Sequence, residues 1–330
     1  MVIDHRHPGE ASPAAAGMLA PGVERTNGAA HRFAVAARER YPAFIDELTS
    51  ATGIRVPLNR DGILELVVDD AEAERAANDL APGTTWMGSA ELHAIEPHLG
   101  RAAGARYHPR DGVVDNTALM RALRSRVAND RGIAMLDDQA MTLEVGRDST
   151  TVVTASGQRH TASVVVLAAG AWSPTVGGLP RPLPVAPVRG QMYSVAGAPL
   201  SHVTYGGHGY VVPRGDGKTV IGATMENVGF EVATTVEGMR SLERAGAEIA
   251  PMLAEARVLD RWSGLRPVTP DMLPILGWDP DYSSLLYACG HSRNGILLGP
   301  LSGDCVAALA LGDAAPHDLT PFAIERFATG

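Results

Sequence analysis

One segment restricts the fold more than any other: Leu285–Gly303, LLYACGHSRNGILLGPLSG. An apolar run ends at Gly290, turns through His291-Ser292-Arg293-Asn294-Gly295 and opens a second apolar stretch at helical spacing. Buried strand, glycine turn and helix in that order belong to a chain whose sheet is covered by helices. Such a junction aims free backbone N–H groups and the positive end of a helix at one point, where an anion or an electron-rich ring atom can sit. An ordinary strand-to-helix turn, with glycine where the backbone is crowded, accounts for the same residues equally well.

The rest of the chain supports a mixed architecture. SVVVLAAG (Ser163–Gly170) reads as a strand covered on both faces, and Gly170 either admits a ligand close to the backbone or simply turns the chain. From Ala29 to Leu48 apolar residues recur at helical spacing (Phe33, Ala37, Tyr41, Phe44, Leu48), with Gly53 placed as a stop. IRVPL and ILELVV flank the turn Asn59–Gly62 and predict a hairpin. Asp115 or Asn116 caps a predicted helix running to about Asn129. Val185–Thr224 is strand-rich and Val236–Ile249 helical, whereas Pro8–Gly22 reads as a loop of small residues. Strands and helices alternating in this way imply α/β or α+β order with a sheet-rich insertion.

Composition narrows the function classes. Of 330 residues, 28 are Lys or Arg and 37 Asp or Glu, a formal charge of −9, which argues against a nucleic-acid partner. With 45% hydrophobic and 20% charged residues the chain can bury a sizeable core, and its length suggests two domains at roughly 150 residues each. Cys289 and Cys305 cannot make a disulfide framework or a zinc site, and no histidine pair has metal spacing, so no metal is expected. The opening MVIDHRHPGE has no apolar core, and no run approaches the ~18 residues of a membrane span. A cytoplasmic protein is expected.

Two further segments could carry chemistry. Arg266 lies between an apolar strand and Pro267 in WSGLRPVTPDMLPILG; a guanidinium held there clamps a carboxylate or makes a structural salt bridge. In HGYVVP, His208 and Tyr210 stand two apart, on one face if extended, and either line a pocket or edge a surface strand.

Taken in order, SPAAAGML (Ser12–Leu19), VVVLAAGAWS (Val164–Ser173), PVRGQMYSV (Pro187–Val195), HGYVVPRGDGKTVIGATM (His208–Met225), SGLRPVTPDMLPILG and GHSRNGILLGPLSG resemble the FAD-dependent amine and amino-acid oxidases of the D-amino-acid oxidase superfamily. Within it they are most similar to the glycine oxidases of thiamine biosynthesis. The resemblance implies an α/β fold: a Rossmann-like FAD-binding domain (1–52, 108–178 and 260–330) interleaved with an antiparallel-sheet substrate domain (53–107 and 179–259). It implies that Asp4 accepts the adenosine ribose hydroxyls, and that Ala11, Ser12, Ala16, Gly17 and Met18 pass the phosphates and flavin. Met141 matches a position whose backbone meets the adenine, and Gly170 ends a strand beside the cofactor. His291, Ser292, Arg293, Asn294, Gly295, Ile296 and Leu297 match the segment that wraps the isoalloxazine. Arg266 matches the substrate-carboxylate clamp, Tyr210 and His208 pocket positions over the flavin, Arg293 a further substrate-side arginine, and Met18 and Met225 apolar walls.

The implied activity is oxidative deamination of glycine or another small amino acid, with O2 reduced to H2O2, in support of thiazole synthesis. Related oxidases and dehydrogenases act on sarcosine, proline or D-amino acids, and a homo-oligomer is compatible with the pattern. Gly264 stands where relatives that tether flavin covalently have a Cys, so the FAD is expected to be dissociable. The family opens with a strand, a GxGxxG turn and a helix, whereas Met1 falls where the second strand is under way. The FAD-binding domain is thus expected to be incomplete by about 30 residues. Either the natural protein starts further upstream, or the segment is deleted and the chain binds dinucleotide poorly or lacks activity.

Overall fold

In the computed structural model of this protein, residues 1–24 and 26–328 are described. Arg25, Thr329 and Gly330, which fall inside the domain ranges given above, lie outside the described residues.

The strand Ala186–Ala196 organises the larger layer. Every position from Val188 to Val195 is buried, because both of its faces are covered. Tyr193 and Val195 pack with Leu242 and Ile249 of the helix Val236–Ile249. Met192 points the other way, into a cluster with Ala16, Ile63, Val113 and Val212, as a period of two requires. The strand lies second in an eight-stranded sheet: Val258–Val268, Ala186–Ala196, Lys218–Gly222, Tyr210–Pro213, Val203–Tyr205, Ile63–Val67, Gly104–His108 and Thr85–Gly88. All neighbours pair antiparallel except Val203–Tyr205 against Ile63–Val67.

A smaller layer is built on Leu285–Cys289, parallel to Val165–Leu167 and antiparallel to Ile275–Trp278. The helix Gly295–Ala310 follows it and packs on the 25-residue helix Gly28–Thr52 through Tyr41, Ile45, Leu298 and Leu301. Gly53, at φ +69°, ends the long helix in the left-handed conformation that glycine adopts without strain. The Asp115 side chain accepts from the Ala118 N–H at 2.8 Å and caps the helix Asn116–Asn129. Val2–Ile3 pairs in parallel with Met135–Leu136. Among the described residues no helix is long and apolar enough to cross a membrane.

Three expectations are corrected. The hairpin across Asn59–Gly62 does not form. Leu58–Asn59 pairs with Gly112–Val114, while Ile63–Val67 pairs with Gly104–His108, so the turn carries the chain from one sheet to another. Ser163–Gly170 yields a strand of three residues, Val165–Leu167, and Val166 is 41% exposed; the strand pairs with one neighbour and is not covered on both faces. Pro8–Gly22 is not loop throughout: Ala11–Ala14 makes one helical turn and Met18–Leu19 pairs with Gly112–Val114.

Candidate active site

Strand register brings Arg266, Tyr210 and Tyr205 together. Arg266 lies on the edge strand Val258–Val268, opposite Val188, with Gly264 opposite Gly190. Across the next strands Met192 faces Gly222, Gly222 faces Tyr210, and Tyr210 faces Tyr205. The glycines make the space. A Cβ on Gly190 would stand 2.3 Å from Arg266 Nη1, and one on Gly222 would stand 2.7 Å from the Tyr210 hydroxyl. Both long side chains therefore lie over bare backbone of the neighbouring strand and meet each other.

Arg266 Nη1 donates to the Thr224 carbonyl at 3.0 Å. Thr224 is fixed in turn, its Oγ1 accepting from the Gln191 N–H at 2.8 Å. Among the described residues no carboxylate pairs with Arg266. Burial lowers its pKa, and the nearby Arg293 charge acts in the same direction. Burial likewise raises the pKa of Tyr210 and pushes that of Tyr205 well above the usual tyrosine value. These two rings lie 5.4 Å apart, and the Tyr205 hydroxyl donates to Met18 Sδ at 2.9 Å. A half-buried guanidinium with no carboxylate in contact among the described residues, flanked by neutral phenols, can take up a carboxylate.

Facing this group runs the small-residue segment Ala11–Gly17. Its carbonyls are held from several sides: those of Ser12 and Pro13 by Asn116 Nδ2 at 3.0 and 3.1 Å, and that of Ala14 by Trp262 Nε1 at 3.0 Å. Arg214 Nη2 holds the Ala16 carbonyl at 2.8 Å, and the Val114 N–H holds that of Gly17 at 2.9 Å. Gly17, at φ +79°, would place a Cβ 2.1 Å from the Val114 oxygen, so only glycine passes there. The result is a rigid backbone wall.

The junction at Gly290 closes the site. Ser292 adopts φ +51° and donates its N–H to the Pro267 carbonyl, next to Arg266, at 2.9 Å. Asn294 precedes the helix Gly295–Ala310 without a side-chain cap, which leaves the first-turn N–H groups of Gly295, Ile296 and Leu297 for a bound group. The Tyr41 hydroxyl donates to the Ile296 carbonyl and fixes this helix end. Burial pushes the His291 pKa down to about 4, so its imidazole is neutral at pH 7; Nε2 lies 3.1 Å from Ser302 Oγ. An uncapped helix end and a clamped backbone wall on either side of Arg266 fit the flavin half of FAD, where negative charge develops on reduction. At the other end Asp4 closes the strand Val2–Ile3, exposed and able to accept from ribose hydroxyls.

The remaining sequence candidates distribute as follows. His208 is a correction: the strand starts at Tyr210, and His208 sits in the preceding turn, 75% exposed, with Nδ1 3.0 Å from Glu248. The two residues do not share one extended face. Arg293 is present at the junction but bound, its Nη2 2.6 Å from Glu24 Oε1. Met225 follows Thr224 and is 54% exposed. The Met141 carbonyl is engaged by the Gly177 N–H at 2.8 Å. Gly170, at φ +55°, starts the 3-10 turn Gly170–Thr175, whose Trp172 stacks on His7. Sequence reasoning missed Tyr205, Arg214 and Glu24. Their one available signal was polarity inside apolar or Gly/Pro-rich stretches.

Fold and site together fit a flavin-dependent oxidoreductase. The chain belongs to the DAO family of FAD dependent oxidoreductases, whose model matches residues 1–309, and its cofactor is FAD. It is 34% identical over 330 residues to the glycine oxidase of Geobacillus kaustophilus, covering 96% of this chain and 87% of that protein. A crystal structure of glycine oxidase from Geobacillus kaustophilus matches with a TM-score of 0.90 at 32% identity, over 97% of this chain and 90% of that one. The bifunctional protein ThiO/ThiG of a Synechocystis species is 35% identical over 331 residues. That match covers 97% of this chain and 48% of the relative, so the chain spans about half of its length.

Proposed function

We propose that this chain oxidises a small amino acid, glycine first, to the imine, which water converts to the 2-oxo acid. O2 is the oxidant overall and is reduced to H2O2, the amine leaves as ammonia, and the product supplies thiazole synthesis for thiamine. The observation that carries this reading is Arg266: a guanidinium with no carboxylate partner among the described residues, held by Thr224 and laid against Tyr210. The similarity to glycine oxidase and ThiO/ThiG proteins supports the substrate class and the thiamine link.

When bound, FAD supplies the two-electron acceptor. The chain's own residues orient. Arg266 pairs with the substrate carboxylate, and Tyr210 donates a second hydrogen bond to it, which fixes the α-carbon relative to the clamped wall at Ala11–Gly17. The amine reacts in its neutral form, its proton having gone to solvent, so no side-chain base is required. Tyr205, bonded to Met18, bounds the space open to a substrate side chain. Gly264 lies against Ala14, where an added Cβ would come within 2.5 Å; this contact has no room for a cysteine tether, in keeping with dissociable FAD. The test is oxygen uptake by the FAD-loaded chain with glycine, sarcosine, proline and D-alanine. Glycine or sarcosine is expected to lead. A chain that takes up no FAD, or oxidises none of the four, overturns the reading.

A further inference from the structure

Glu24 has no part in the chemistry above, yet the fold delivers its carboxylate to the substrate-side arginines. It ends the turn that follows Met18–Leu19, its N–H bonded to the Ala20 carbonyl at 3.1 Å. Within that turn the Gly22 N–H donates to Asp111 Oδ2 at 2.9 Å. Asp111 is 1% exposed and takes Arg38 Nη1 at 2.7 Å on its other oxygen. A buried ion pair thus anchors the turn, and the Glu24 side chain, 16% exposed, reaches Arg293 at 2.6 Å.

The consequence is electrostatic. Glu24 acts not on Arg293 alone but also on Arg266 and Tyr205, so these groups share one field. Burial by itself would lower the pKa of Arg293; Glu24, together with the nearby Tyr205 and Tyr210, outweighs it and the pKa rises. Arg266, Arg293 and Glu24, with both phenols neutral, together carry one net positive charge. That charge matches the single carboxylate of an amino acid whose amine is neutral. A second carboxylate would meet an arginine already paired and a like charge beside it.

We propose that Glu24 is a specificity-determining residue, occupying a latent second anion subsite on Arg293 and thereby restricting the site to amino acids with one carboxylate. The proposal rests on the reading of Arg266 as the carboxylate clamp. Removing the charge while keeping the shape, as in Glu24→Gln, frees Arg293 to take the second carboxylate of a dianion.

The experiment uses the FAD-loaded chain and two unreactive probes, acetate and malonate, with affinities measured by titration calorimetry. Oxidation of glycine and iminodiacetate is followed in parallel. In Glu24→Gln the malonate-to-acetate affinity ratio is expected to rise at least about tenfold, roughly the worth of one added charge-assisted contact. The iminodiacetate-to-glycine ratio of kcat/KM should rise with it. Glu24→Asp, which keeps the charge, retains the wild-type ratio, and Glu24→Gln/Arg293→Met loses the gain. An unchanged ratio in Glu24→Gln with acetate binding intact overturns the proposal and leaves the clamp standing, as does a gain that survives Arg293→Met. Acetate that binds neither the wild-type chain nor any variant overturns the clamp and this proposal together.

Discussion

Gly190→Ala tests the site geometry through one methyl group. The added Cβ would stand 2.3 Å from Arg266 Nη1 and 2.5 Å from both Cζ and Nη2, against about 3.4 Å for ordinary contact. The guanidinium must therefore retreat by 3.4 − 2.3 = 1.1 Å. A shift of that size is expected to break its 3.0 Å bond to the Thr224 carbonyl. A displacement of about 1 Å in a positioning group costs on the order of 100-fold in rate, or about 2.7 kcal/mol. Gly190 does not need a positive φ, so alanine fits the strand and the melting temperature should fall by only a few degrees. The assay is kcat/KM for the preferred amino acid by oxygen uptake, paired with acetate affinity by calorimetry. Both should drop by about two orders of magnitude. A variant within threefold of wild type in both would refute the argument that Arg266 lies over Gly190 to grip a carboxylate.

Further outcomes follow from neighbouring contacts. Arg214→Met removes bonds to the carbonyls of Val114 and Ala16 and to Asn116 Oδ1, at 3.1, 2.8 and 3.0 Å; a loss of about 3 kcal/mol is expected, read as a lower urea midpoint. His291 titrates near 4 when folded against 6.5 in the unfolded chain. The unfolded state thus takes up the extra proton, and stability falls as pH drops from about 6.5 towards 4. His291→Asn should flatten the melting temperature between pH 7 and 5, and an unchanged slope would contradict the burial of that ring. After acid precipitation the flavin should appear in the supernatant, because Gly264 offers no tether; colour retained by the pellet would argue otherwise.

Local signals were readable where one physical rule dominates. The helix Val236–Ile249 matches its apolar spacing, and Gly53 and Asp115 end and begin their helices where left-handed backbone and capping chemistry place them. Strand partnership was not readable, because hydrogen-bonded neighbours are chosen by tertiary packing. Leu58–Asn59 and Ile63–Val67 flank an apparent hairpin turn yet join different sheets. Arg266, Tyr210 and the Gly290–Leu297 junction, singled out in the sequence, come together in the structure, and their roles are proposals. His208 failed because the two-residue period holds only inside a strand, and the strand starts two residues later. Glu24 reaches Arg293 across 269 positions of sequence, a contact no local pattern encodes.

The central claim is that a free guanidinium at Arg266 selects an amino acid by its carboxylate. The most direct measurement is oxygen uptake with glycine across a concentration range, wild type against Arg266→Ala, each loaded with FAD. The account predicts a saturable wild-type rate and, in the variant, a KM raised by orders of magnitude with flavin still bound. Near-normal kinetics in Arg266→Ala would contradict it.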